Sequence, residues 1–91
     1  RKFNQATLVT LGEVDGESSY RVFLNNELIA QVTNKETSID YQENYFQLGP
    51  LTLKPDDILR VEAKAVTNGK IPENGGTAFA RGKWRGIILR E

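Results

Sequence analysis

Ninety-one residues are enough for one domain with a core of its own and too few for two. The balance of 12 basic against 12 acidic side chains argues against a general nucleic-acid or membrane-surface protein. The 38% apolar content is near the lower end of the globular range and, with an ordinary 26% charged residues, points to a folded chain rather than a disordered one. With neither cysteine nor histidine, disulfides, thiolate metal sites, thiol nucleophiles and imidazole bases are all excluded.

Periodicity of two runs along the chain. Ala6–Leu11, rich in threonine and branched residues, predicts a strand, and Gly12–Ser18 a turn cluster. Tyr20–Leu24 and Leu28–Thr33 flank Asn25-Asn26-Glu27 and predict a hairpin, since asparagine tolerates the positive φ of a tight turn. Residues 34–44 read as polar and irregular. Tyr45–Leu53 reads as a strand that Gly49-Pro50 interrupts, an edge or a bulge. Lys54–Asp57 is a turn. Ile58–Val66 alternates, with Leu59, Val61, Ala63 and Ala65 predicted to face inward and Arg60, Glu62 and Lys64 outward. Trp84–Arg90 closes the chain as a strand with Ile87 and Leu89 on one face. No segment holds a helical period over ten residues, and no apolar run approaches a membrane span. The expectation is an all-β chain of six to eight short strands, an antiparallel β-sandwich of the jelly-roll kind.

Charge is unevenly placed. Glu13, Asp15 and Glu17 crowd the early loop. The run Asn68–Gly86 holds the only tryptophan and five of the eight glycines, with Lys70, Arg81, Lys83 and Arg85 set against Glu73 alone. So long and polar a loop is poor core material and suits a gripping surface.

Serines at 18, 19 and 38 have no histidine to activate them. A carboxylate pair such as Glu13 and Asp40 is the remaining catalytic option, but neither lies in a recognisable catalytic motif. The Gly75-Gly76 pair lacks the rest of a phosphate-cradling loop. Glu13 and Asp15 offer the carboxylate-rich turn that calcium takes; an ordinary solvated acidic turn is the alternative. Basic residues interleaved with an aromatic suit single-stranded nucleic acid, yet zero net charge and the acidic loop oppose that use. A pyranose uses the same parts otherwise. Its C–H face packs on an aromatic plane and its hydroxyls seek charged or bidentate partners. Trp84, Tyr41, Tyr45 and Tyr20 supply planes, although Tyr20 alternates with Val22 and Leu24 as a core residue does. The predicted carbohydrate-binding residues are Trp84, Tyr41, Arg81, Arg85, Asn68 and Asp40, and the cationic excess suits an acidic or sulfated polymer.

The stretch Tyr20-Arg-Val-Phe-Leu-Asn-Asn-Glu-Leu-Ile-Ala30 resembles the tyrosine–strand–turn–strand hairpin of jelly-roll carbohydrate-binding modules, with Asn25-Asn26-Glu27 where Asn-Gly-Lys is commoner. The run from Asn68 through Trp84 to Arg85 resembles a closing segment of accessory β-sandwich domains on bacterial secreted glycoside hydrolases. Together they cover about a third of the chain. The resemblance implies a single non-catalytic module, residues 1–91, excised from a larger extracellular or cell-surface protein, an expectation that the start at Arg1 suits. Its partners would be a polysaccharide and a covalently linked catalytic domain, with the module itself a monomer and no nucleic acid or membrane involved. The alternative is a structural domain that packs on that catalytic neighbour and binds no sugar.

Overall fold

The alternation of the sequence is realised, in a computed structural model that describes residues 1–91, as ten strands paired only antiparallel and no helix. Six are long: β2 (Gln5–Gly12), β3 (Ser19–Leu24), β4 (Glu27–Thr33), β5 (Gln42–Gln47), β7 (Leu59–Lys64) and β10 (Trp84–Arg90). Four are two-residue ribbons: β1 (Lys2–Phe3) with β6 (Leu51–Thr52), and β8 (Pro72–Glu73) with β9 (Gly76–Thr77). The long strands form two three-stranded sheets, β10–β2–β5 and β4–β3–β7.

Leu8 of β2 and Tyr20 and Val22 of β3 form the buried centre, so the two sheets meet there. Val32 and Ile29 of β4, Val61 of β7, Phe46 of β5 and Ile87 of β10 pack around them. Because side chains alternate, Ala6, Leu8 and Thr10 face the core, while Thr7, Val9 and Leu11 lie on the outer face of the β10–β2–β5 sheet. The β3–β4 hairpin turns where expected. Asn25 adopts φ 55°, its amide N–H donates to the Ile58 carbonyl at 2.7 Å, and its side chain receives Ile58 N–H at 3.0 Å.

One end of the core is polar and fully satisfied at its hub. Thr10 Oγ1 donates to Asn34 Oδ1 at 2.5 Å, and Asn34 Nδ2 donates to the Leu11 carbonyl and to Tyr20 Oη, each at 3.2 Å. Tyr20 Oη in turn donates to the Lys83 carbonyl at 2.5 Å, which stitches β3 to the segment entering β10.

Three expectations are revised and one is borne out in detail. β5 begins at Gln42, inside the stretch read as irregular, because the side chain of Asn44 turns inward and is buried against Asn34. The interruption expected at Gly49-Pro50 is present: it parts the segment into the end of β5, an edge strand, and the short β6, with Gly49 at φ 88°. Ala63 and Ala65, assigned to the core by alternation, are exposed: β7 is an edge strand and the inner layer does not extend over its end. The late run is not wholly surface. It folds into the β8–β9 ribbon around Asn74-Gly75, both at positive φ, and then buries Ala78 and Ala80, whose small side chains reach the interior without an obvious apolar signal. Gly16 is demanded by sterics alone, since a Cβ there would stand 2.2 Å from the Val66 carbonyl oxygen.

Candidate ligand-binding face

Antiparallel register places Leu11 opposite Glu43, Val9 opposite Tyr45 and Val9 opposite Gly86. A bulge between Trp84 and Gly86 inserts Arg85 into this ladder. Glu43, Tyr45, Arg85 and Ile88 therefore share the outer face of the β10–β2–β5 sheet, with Val9 beneath them.

Cations reach from the β10 side across β2 to the β5 side. Arg85 Nη1 donates to Glu43 Oε2 at 2.8 Å, and Tyr45 Oη donates to Glu43 Oε1 at 2.5 Å. One step nearer the polar end, Lys83 Nζ donates to Tyr41 Oη at 3.1 Å, lies 4.6 Å from the Tyr41 ring centre and stands 3.6 Å from Glu13 Oε1. The hydrogen bond to the phenol, with the charge of Glu13 behind it, raises the Lys83 ammonium above its ordinary pKa. The bond from the Tyr45 phenol, followed by that from Arg85, lowers the Glu43 carboxyl, and the same Glu43 contact raises the Tyr45 phenol.

The predicted site residues separate into two groups. Trp84 opens β10 with 42% of its surface exposed, and Tyr41, at φ 63°, is 58% exposed. Arg81 is exposed and its guanidinium has no carboxylate partner; only its amide N–H is engaged, by Glu13 Oε2 at 2.7 Å. Arg85 stands over the sheet face, paired to Glu43. Asn68 and Asp40, by contrast, tie loops together. Asn68 Nδ2 donates to the Val14 carbonyl at 2.9 Å and Glu17 Oε2 at 3.3 Å, its Oδ1 accepts from Lys70 N–H, and Asp40 Oδ1 accepts from Val14 N–H at 3.0 Å. Tyr20 is a core residue with no exposed surface.

No group of three or more acidic, histidine or cysteine side chains converges to hold a metal. Glu13, 7% exposed, turns one oxygen to the Arg81 N–H and the other toward Lys83, so its charge is already met by donors. Asp15 lies in the same turn with Oδ1 buried and without a hydrogen-bond partner, but Glu13 does not join it as a second free carboxylate ligand.

The basic run is less cationic than its sequence suggests. Lys70 pairs with Glu36, Lys83 with Glu13 and Arg85 with Glu43, which leaves Arg81 as the unpaired member. Glu36, Glu43 and the role of Lys83 were not legible locally, because each partner is distant in sequence. The one available signal was parity on the β5 side, where positions 41, 43 and 45 fall on one side of the chain; the bulge at Arg85 breaks parity on the β10 side.

Comparison with protein-family models, with curated proteins and with solved structures finds no match to this chain.

Proposed function

We propose that this chain is a non-catalytic carbohydrate-binding module, a β-sandwich of jelly-roll type that holds an attached polysaccharide-degrading enzyme near its polymer outside the cell. The observation that carries this reading is the open Tyr41 ring with Lys83 Nζ held against it, joined in the same stretch of chain by the exposed Trp84 ring and the unpaired Arg81. A ring in the open offers a plane for the C–H face of a pyranose, and adjacent N–H donors meet its hydroxyls. The carboxylates that would serve catalysis support recognition rather than turnover: Glu13 and Asp40 each accept a backbone N–H. One stacked ring and a few hydrogen bonds correspond to a Kd of about µM to mM, or roughly −8 to −4 kcal/mol. Tethering makes so weak a contact useful by raising local concentration.

Affinity electrophoresis through gels containing soluble polysaccharides tests the reading. Retardation by at least one polymer, lost or weakened about 3- to 10-fold in Trp84→Ala, is the expected result. Migration unchanged by every polymer would remove the proposal. A second reading, a structural domain packed on a catalytic neighbour, draws support from Leu28 and Ile58. They are 48% and 65% exposed at the Leu24 end of the β4–β3–β7 sheet, away from Lys83. Leu28→Ser and Ile58→Ser variants that bind sugar normally but lose association with the neighbouring domain would favour it.

A further inference from the structure

We infer that the glycan site continues from the Tyr41–Lys83 contact onto the outer face of the β10–β2–β5 sheet, where a groove takes a neutral pyranose stacked on Tyr45. This deepens the carbohydrate-binding reading and rests on it. The groove has a volume of about 300 Å³ and is lined by Val9, Glu43, Tyr45, Arg85, Gly86 and Ile88. That volume stands at the lower end of the range for small-ligand sites, the size of a ring rather than of a whole chain.

Three features define its occupant. Tyr45 is 59% exposed and its hydroxyl is anchored on Glu43, so its ring is held as a plane rather than left to rotate freely. Gly86 faces Val9 in register, and a Cβ built on it would meet nothing within 4 Å. The missing side chain thus opens the floor of the groove and serves no turn geometry. Finally, Arg85 and Glu43 neutralise one another while keeping unused N–H donors and carboxylate lone pairs. Such a pair offers donor and acceptor side by side, which matches adjacent hydroxyls of an uncharged sugar. An anionic sugar would have to face Glu43, and a cationic one Arg85. Ile88, 43% exposed, supplies the apolar surface that the C–H groups of the ring would cover, with the buried Val9 at the floor.

The test is an ¹H–¹⁵N NMR titration with xylohexaose, cellohexaose and mannohexaose, and with heparin as the polyanionic probe, at low and high salt. It would be run on the wild type, Tyr45→Ala, Gly86→Val and Trp84→Ala. Gly86→Val adds bulk into open space, so it should fill the groove and leave the thermal unfolding transition in place. The expected result is that a neutral hexasaccharide shifts the amides of Val9, Gly86 and Ile88 in a salt-independent manner. Tyr45→Ala and Gly86→Val should each weaken binding about 3- to 10-fold. If both variants bind as the wild type does while Trp84→Ala loses affinity, the groove inference is overturned and the carbohydrate-binding reading survives. Salt-dependent binding of heparin alone also overturns it. If no probe binds, both fall together. Loss in the two groove variants with no effect of Trp84→Ala keeps the groove and displaces the Trp84 end.

Discussion

Asn34 joins three segments through one side chain, and its surroundings explain why so small a polar group matters to the candidate site. It is buried at 5% exposure, accepts from Thr10 and donates to Leu11 and Tyr20. Tyr20 passes the constraint on, since its hydroxyl grips the Lys83 carbonyl beside Trp84. Burial raises the Tyr20 phenol above the ordinary tyrosine value, so it remains a donor throughout the neutral range. Replacing Asn34 by alanine strands the buried Thr10 hydroxyl and should cost about 1–3 kcal/mol. Tyr20→Phe removes only a hydroxyl, and the Lys83 carbonyl keeps its bond from Leu11 N–H at 3.1 Å, so its cost should be about 0.5–1.5 kcal/mol. Urea denaturation of the two variants checks the order; a larger loss for Tyr20→Phe would make the hydroxyl, not the amide, the anchor.

At the scale of strands, β5 carries the groove's acid and its ring together. The Tyr45 and Arg85 hydrogen bonds hold the Glu43 carboxyl below the usual glutamate value. With a lowered folded-state pKa, its contribution is present above the unfolded-state value and disappears as pH falls through the lowered one. Tyr45, raised by the same contact, contributes fully below the ordinary phenol value and loses that contribution as pH rises through its raised one. NMR titration of the Tyr45 ring should therefore show an upward-displaced midpoint that Glu43→Gln moves back toward the ordinary value. An unchanged midpoint in Glu43→Gln would mean that the Tyr45–Glu43 bond is absent in solution.

The same strand shows where reading the sequence succeeds and fails. β2, β3, β4 and β10 were legible from alternation, and Trp84–Arg90 was placed without error, because a two-residue period survives wherever one face is apolar. The start of β5 was hidden because its inward residue is Asn44, a polar group buried through hydrogen bonds rather than hydrophobicity. Once that start was missed, the common side of Tyr41, Glu43 and Tyr45 was missed too. Trp84, Tyr41, Arg81 and Arg85 stand out in the sequence by residue type, and all four are exposed. Asn68 and Asp40 stand out in the same way, but their polar atoms are engaged in closing loops.

Taken whole, the molecule measures 50 × 23 × 15 Å, and only 16 of its 91 residues are buried, so little of it is insulated from solvent. Four of its five ion pairs join residues far apart in sequence, including Glu13 with Lys83 and Glu43 with Arg85. Charge is thus cancelled within the groove, where Arg85 meets Glu43, in keeping with recognition of hydroxyls there, while Arg81 keeps its charge unpaired. The pairing of the Arg1 guanidinium with the Glu91 carboxylate, beside the bond from the Arg1 ammonium to the Leu53 carbonyl at 2.6 Å, closes the two ends of the fold on one another. Topologically the domain is nearly a ring. Joining residue 91 to residue 1 through a flexible Gly/Ser bridge and cutting instead at Asn74-Gly75, an exposed ribbon tip, should yield a circular permutant with the parent's circular-dichroism spectrum and cooperative melting. Such a permutant would put new fusion points on the far hairpin, so that cargo could be hung there without a tether at the original ends.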